Sequence, residues 1–293
     1  MEGKRGYEKR VSLKKLTQVM NLDYFVSSRA DYHDSIIAGC VFSSVHITPT
    51  AWEENANHGF FKKIYKKRQL VRKFNNKKLI ALSEGIEHDL VNNIQCDPEN
   101  VFVINNPFEL DVILKKSIQA KSLYDFEYIV FVASFIERKR HIDMIDAFEM
   151  LENKCIKLVL VGKGKLESRI RDLVKAKGLE NRVIFHGWDS NPYSIIKNAK
   201  LSVLASLSEG LPRVVVESLA LGVPVVSTDC PSGPKEVLTG DFKKFLVPLR
   251  SPVALSTAIN EALISYPEIK SDLVVRFDAS YIANNYIKLF ELN

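Results

Sequence analysis

No run of apolar residues in this chain approaches the roughly 18–20 that a membrane-crossing helix needs, which argues against an integral membrane protein. The opening stretch, Met1 to Arg10, is charged rather than apolar, so no secretory signal peptide is expected. Cysteine is scarce: Cys40, Cys96, Cys155 and Cys230 lie far apart, with no C-x-x-C pair and no histidine at ligand spacing. That excludes a structural zinc site, which needs two close ligand pairs. It fits inert thiols in a reducing compartment, with the cytoplasm as the expected location. Glycine (13) and proline (11) are too sparse for a collagen-like or low-complexity chain. What remains is the composition of a globular protein of 293 residues, 46% hydrophobic and 26% charged, with room for one large or two modest domains.

Acidic residues are missing altogether from one stretch. Between Phe60 and Lys78 lie nine lysines and arginines, interleaved at helical spacing with apolar residues such as Ile64, Tyr65, Leu70, Val71 and Phe74. An amphipathic cationic helix of this kind lies on an anionic membrane surface, binds nucleic acid, or packs on a sheet by its stripe with its charges in water. No finger, helix-turn-helix or RNA-recognition signature supports nucleic acid, so no such partner is expected.

From about residue 127 the pattern alternates. Apolar runs at Glu127–Ala133, Ile156–Val161, Arg182–His186, Lys200–Ala205 and Val223–Thr228 are separated by segments with helical spacing. Near-continuous apolar strands between helices predict a parallel sheet covered on both faces, with ligands outside the carboxyl ends of the strands. The first hundred residues predict a sparser version. Strands are expected at Leu22–Ser27, Phe42–Ile47, Leu79–Ser83 and Val101–Ile104, and helices near 11–20, 32–40, 59–75 and 85–94. Asn105-Asn106-Pro107 is a turn signal and sets the boundary, giving domains 1–107 and 108–293. The final helix, 279–292, is a candidate to pack back on the first domain.

The chemistry concentrates in Ala205–Leu238. A buried strand ends near Ala205, a loop carries Glu209, Gly210, Leu211 and Pro212, and a helix begins near Arg213. Proline suits the first helical turn, glycine admits a close backbone approach, and the helix start favours an anion such as a pyrophosphate. Glu217, eight residues after Glu209, presents a carboxylate able to accept two hydrogen bonds from a ribose diol. Elsewhere, Gly162-Lys163-Gly164 opens a helix after a strand, but Glu167 occupies the third-glycine position of a dinucleotide fingerprint, which predicts a tight turn rather than an NAD site. There is no P-loop and no D-x-D pair, so no metal is expected.

The segment from Ser208 to Asp229 resembles the E-x7-E signature of the retaining GT-B glycosyltransferases of family four. Five further segments match in order: Leu79–Val91, Asn105–Phe108, Val130–Leu151, L-V-L-V-G-K-G and V-I-F-H-G-W-D-S-N-P-Y. The resemblance implies an α/β protein in a GT-B arrangement of two Rossmann-like, doubly wound domains. The nucleotide sugar would bind mainly to the second domain, in the cleft between the two. The family places a Gly-rich loop and further strands ahead of what is seen here, so the first domain is expected to be short at its start, Gly6-x-Glu8 echoing that loop.

By the same resemblance, Glu209 and the backbone after it, through Gly210, Leu211 and Pro212, hold the donor sugar, Glu217 holds the ribose, and Lys139 neutralises the diphosphate. The family usually has an arginine where this chain has Ser134; Arg138 or Arg140 is the substitute. Gly162 and Trp188, which close two of the matched strands, are carried over as donor-site residues. His46, at a strand end where the family has a histidine facing the donor, is a further candidate beside its purely structural reading. Asp229 through Glu236 resembles a loop that lines the donor site in cell-surface polysaccharide enzymes.

The implied reaction moves a hexose or N-acetylhexosamine from a UDP-linked donor to a glycan or lipid-linked acceptor with retention, in cell-surface polysaccharide or lipopolysaccharide synthesis. No cofactor is implied, since the nucleotide sugar is a substrate. Two alternatives stand beside it: a sugar-nucleotide epimerase of the same fold, and a truncated or degenerate copy that binds nucleotide without transfer. The implied location is cytoplasmic, with a peripheral hold on the inner membrane face through residues 60–78.

Overall fold

The computed structural model describes residues 24–27, 40–46, 48–50, 60–119 and 123–291. The helices expected near 11–20 and 32–40, and Gly6, Glu8, His33, Ile47 and His58, lie outside the described residues. The chain divides into two compact units, one of residues 1–106 with 284–293 and one of residues 107–283.

In the first unit, four parallel strands stand in chain order: β1 (Tyr24–Ser27), β2 (Cys40–Val45), β3 (Lys78–Ala81) and β4 (Val101–Val103). Helix α1 (Phe60–Phe74) precedes β3, and α2 (Glu84–His88) follows it. Ser83 caps α2, its hydroxyl accepting from the Ile86 amide at 3.3 Å. The helix predicted over 85–94 is continuous in outline, but its second half, Asp89–Asn93, is a π-turn. Phe74, Leu79, Ala81, Ile86 and Leu90 form the core of this unit, with Leu70 and Val71 of α1 packed against it. The apolar stripe of α1 is therefore split: its later residues serve the core, whereas Ile64 and Tyr65 are exposed.

The second unit carries six parallel strands in the order β10-β9-β8-β5-β6-β7. These are β5 (Tyr128–Val132), β6 (Lys157–Val161), β7 (Val183–Gly187), β8 (Leu201–Leu204), β9 (Val225–Thr228) and the short β10 (Leu246–Val247). Its helices are α3 (Leu110–Ile118), α4 (His141–Glu149), α5 (Glu167–Ala176), α6 (Tyr193–Lys197), α7 (Arg213–Ala220), α8 (Pro234–Val237), α9 (Pro252–Ile264), α10 (Asp272–Val275) and the start of α11 (Ala279–Glu291). Alternation along β5 explains its unbroken apolar run. Ile129 and Phe131 enter one core, with α4 and α9, while Tyr128 and Val130 enter the other, with α7.

Strand order reverses between β5 and β8, which pair directly through Ile129↔Leu201 and Val130↔Ser202. This is the switch point of the sheet, where the segments after two adjacent strands diverge and leave a crevice. Gly162, after β6, has φ +148°, and a Cβ there would collide with the Ala133 carbonyl, so only glycine lets the two strand ends approach this closely.

Candidate active site

Two segments meet at the switch point. After β5 the chain passes Ser134, which is exposed, and makes a 3₁₀ turn over Glu137–Lys139 before α4 begins. After β8, residues 205–212 run to the start of α7 and are buried throughout. A buried loop must satisfy its backbone groups, and this one does so with bonds from distant parts of the chain. The Leu207 amide donates to the Arg138 carbonyl at 2.9 Å, and the Arg138 guanidinium donates to the Ser208 carbonyl. The Thr228 hydroxyl (2.6 Å) and Cys230 thiol (3.0 Å) donate to the Ser206 carbonyl, and the Ser232 hydroxyl donates to the Glu209 carbonyl at 2.6 Å. The Asp229–Glu236 segment thus braces the loop from behind. At Gly233 (φ +92°) a Cβ would run into the Gly210 carbonyl and lie 2.7 Å from Pro212 Cδ.

The side chains converge as well. Lys139 Nζ donates to Glu209 Oε1, and Arg138 Nη1 lies 3.4 Å from Glu209 Oε2. Glu209 is buried, and these two cations are its ion-pair partners. Of the two arginines considered as substitutes for the residue missing at Ser134, the structure separates the roles. Arg140, in the left-handed region at φ 50°, is committed to Asp143 through Nε–Oδ2 at 2.9 Å and Nη2–Oδ1 at 2.6 Å. Only Arg138 points to the loop. His141 is buried against the Phe135 ring at 4.2 Å, and burial, reinforced by Lys139, pulls its pKa down to about 4, so it is a neutral ring there.

Glu217 lies about one turn along α7 and is likewise buried. Arg213 Nη2 reaches its Oε1 at 3.2 Å, and the Tyr193 hydroxyl reaches the same oxygen at 3.5 Å. Burial pushes the Glu217 carboxyl upward, and Arg213 and Tyr193 oppose that rise. Neither partner was among the residues expected from the sequence. Arg213 had a legible signal, since it stands four residues before Glu217 on one helix face; Tyr193 comes from a separate helix and had none.

Trp188, just after β7, is exposed, with Lys163 Nζ 4.7 Å from its ring centroid. The Gly162 amide donates to the Gly187 carbonyl at 2.8 Å, which ties these two strand ends together. His46, in the first unit, is exposed at the carboxyl end of β2. The loop beyond it is anchored by buried Asp89, whose carboxylate accepts from the Thr50 amide at 2.9 Å, from the Thr50 hydroxyl, and from Asn93 Nδ2 at 2.7 Å. Among the described residues, no group of three His, Cys, Asp or Glu side chains is placed to hold a metal ion. Cys96 and Cys230 are buried, and burial raises their thiols to about 11 and about 12.

Parallel α/β units with an anion-poised loop at the strand-order switch are the architecture of GT-B glycosyltransferases, and the structural neighbours agree. The structure of Anabaena HepE in complex with UDP and glucose superposes with a TM-score of 0.77 at 19% identity, over 96% of this chain and 81% of that one. Residues 115–274 match the family model of glycosyl transferases group 1, and the chain belongs to that family. It is 30% identical over 212 residues to the N-acetylgalactosamine-N,N'-diacetylbacillosaminyl-diphospho-undecaprenol 4-alpha-N-acetylgalactosaminyltransferase of Campylobacter jejuni, covering 72% of this chain and 55% of that protein. It is 23% identical over 218 residues to the lipopolysaccharide 1,6-galactosyltransferase of Escherichia coli, covering 73% of this chain and 60% of that protein. The chain therefore spans little more than half the length of these curated relatives.

Proposed function

We propose that the protein transfers a hexose or N-acetylhexosamine from a UDP-linked donor to a glycan or lipid-linked acceptor, with retention, in the synthesis of a cell-surface polysaccharide. The observation that carries this reading is the meeting of Lys139 and Arg138 with Glu209 across the β5/β8 junction. Negative charge develops on the leaving diphosphate as the glycosidic bond breaks, and preorganised cations beside it are the main source of rate in such a step. In this reading Lys139 and Arg138 take that charge, together with the amides that open α7. Glu209 and the Gly210–Pro212 backbone orient the sugar, and Glu217 accepts from the ribose. Gly162 and Trp188 complete the donor surroundings on the second unit. The acceptor attacks on the face from which the diphosphate departs, which retains the anomeric configuration. The names of the Campylobacter and Escherichia relatives, and the UDP and glucose bound by HepE, support the substrate class.

Calorimetry with UDP alongside a transfer assay tests this. Micromolar binding with turnover is expected. Binding without turnover would favour the degenerate-copy reading, which the exposed serine at position 134 supports. Turnover of a UDP-sugar without an acceptor would identify an epimerase.

The same proposal includes a peripheral hold on the cytoplasmic membrane face. No helix among the described residues is long and apolar enough to cross a membrane. On α1, exposed Ile64 and half-buried Val71 line a groove of about 500 Å³ with Lys67, Arg68 and Arg72, an apolar floor under cationic walls. Binding to vesicles containing anionic lipid is expected to weaken as salt rises. Charge reversal at Lys67, Arg68 and Arg72 should abolish it, and unchanged vesicle binding by that variant would remove α1 as the contact.

A further inference from the structure

Glu217 is the one carboxylate of α7 and is buried, and a buried carboxyl drifts toward its neutral form unless something holds its charge. A neutral carboxyl would offer a ribose one donor and a weakened acceptor instead of the two-oxygen acceptor that a diol requires. The structure shows what prevents this. Arg213 and Tyr193 both reach Oε1, at 3.2 and 3.5 Å, from opposite sides in the chain: Arg213 from the first turn of α7 and Tyr193 from α6. No described protein group bonds Oε2, so the carboxylate is gripped by one oxygen and presents the other. The Arg213 guanidinium is itself steadied, 4.7 Å from the centroid of the buried Phe108 ring.

We infer that Arg213 and Tyr193 are positioning residues for nucleotide recognition, fixing Glu217 through Oε1 as an ionised acceptor for the ribose hydroxyls. The inference rests on the ribose role proposed above for Glu217 and extends it to two residues outside the E-x7-E pair. Helices α3, α6, α8 and α10 pack on α7. Of the titratable groups they carry, Tyr193 bears on Glu217; Asp111, Lys115 and Lys116 of α3, Lys197 of α6, Lys235 and Glu236 of α8, and Asp272 of α10 are not among the groups acting on its charge.

The sign of the pH dependence follows. Nucleotide affinity is present while Glu217 is ionised and is lost as pH falls through its folded-state pKa. Removing Arg213 takes away the larger of the two opposing influences, so that loss begins at higher pH. The probe is UDP, with affinity measured by calorimetry from pH 5 to 8. In Arg213→Gln the acid-side midpoint should rise by about one pH unit, as expected for loss of a facing opposite charge. Tyr193→Phe should move it the same way by less, and Arg213→Lys should restore most of the wild-type midpoint. Glu217→Gln should bind UDP about tenfold more weakly, with no acid-side loss.

The failures separate. If Glu217→Gln weakens UDP but Arg213→Gln keeps the wild-type midpoint, the positioning inference is wrong and the ribose assignment stands. If Glu217→Gln binds UDP as the wild type does at every pH, the ribose assignment fails and the inference with it. A loss of affinity in Arg213→Gln that is equal at all pH values would mark Arg213 as merely structural and overturn the inference.

Discussion

Replacing Lys139 by alanine is expected to lower the rate of sugar transfer by about 10²–10³-fold, the usual cost of deleting one preorganised electrostatic contact to a developing oxyanion. Two effects combine in that number. The cation proposed to meet the diphosphate is gone, and Glu209, whose side chain is only 9% exposed, keeps just the more distant Arg138 at 3.4 Å. The second effect makes the loss larger than a surface lysine could produce, because a buried carboxylate robbed of its close partner is strongly unfavourable and its loop reorganises. Glu209→Ala should cause a loss of the same order. The two changes should be strongly non-additive, since they remove halves of one contact. Initial rates with a UDP-sugar donor, for each single variant and the double variant, read this directly. Wild-type activity in Lys139→Ala, Glu209→Ala and Glu217→Ala together would refute the site.

The second large effect is predicted at a residue with no functional group. Gly233→Ala introduces a Cβ that meets the Gly210 carbonyl and Pro212, at a backbone φ of +92° that alanine disfavours. Strain and displacement together should cost about 2–4 kcal/mol. For a chain of this size that corresponds to a melting temperature lower by about 3–7 °C. Because Gly233 presses on the loop that carries Glu209, nucleotide affinity should fall along with stability. Thermal unfolding and UDP calorimetry on the same sample check both parts. A variant that melts as the wild type does would show that the loop yields freely, contrary to its buried, multiply bonded state.

These two residues also mark how far the sequence was legible. Strands β5 to β9 were evident because both sheet faces are covered, so they read as largely apolar runs with few polar residues such as His186, Ser202 and Ser227. The first-unit strands β2, β3 and β4 followed from the same signal. Strand β10 was missed because two residues, Leu246 and Val247, carry no periodicity. Helix α9 was missed because Pro252–Ile264 has almost no charged face to contrast with its buried Leu255, Ile259 and Ala262. Within the site, Glu209, Glu217 and Lys139 were named from the motif and its flanks. The bracing of Ser206 by Thr228 and Cys230, and the grip of Tyr193 on Glu217, are tertiary facts between segments more than 20 residues apart. No local pattern encodes them. The choice between Arg138 and Arg140 was likewise open until Asp143 was seen to hold Arg140.

The reversal of strand order between β5 and β8 has a consequence for folding. Strands β5, β6 and β7 form a run of local βαβ contacts on one side of the junction, and β8, β9 and β10 form another on the other side. Arg138 and Lys139 belong to the first run, and Glu209 and Glu217 to the second. Neither run alone holds the complete set: the first has the cations without the Glu209 loop that pairs with them, and the second has the loop and Glu217 without the cations. In the proposed donor site a bound nucleotide would favour the fully joined sheet over its halves and, by mass action, stabilise the seam between them. Amides on β5 and β8 should gain the most protection from hydrogen exchange when nucleotide is added, because opening of the sheet at that seam is the event the ligand opposes.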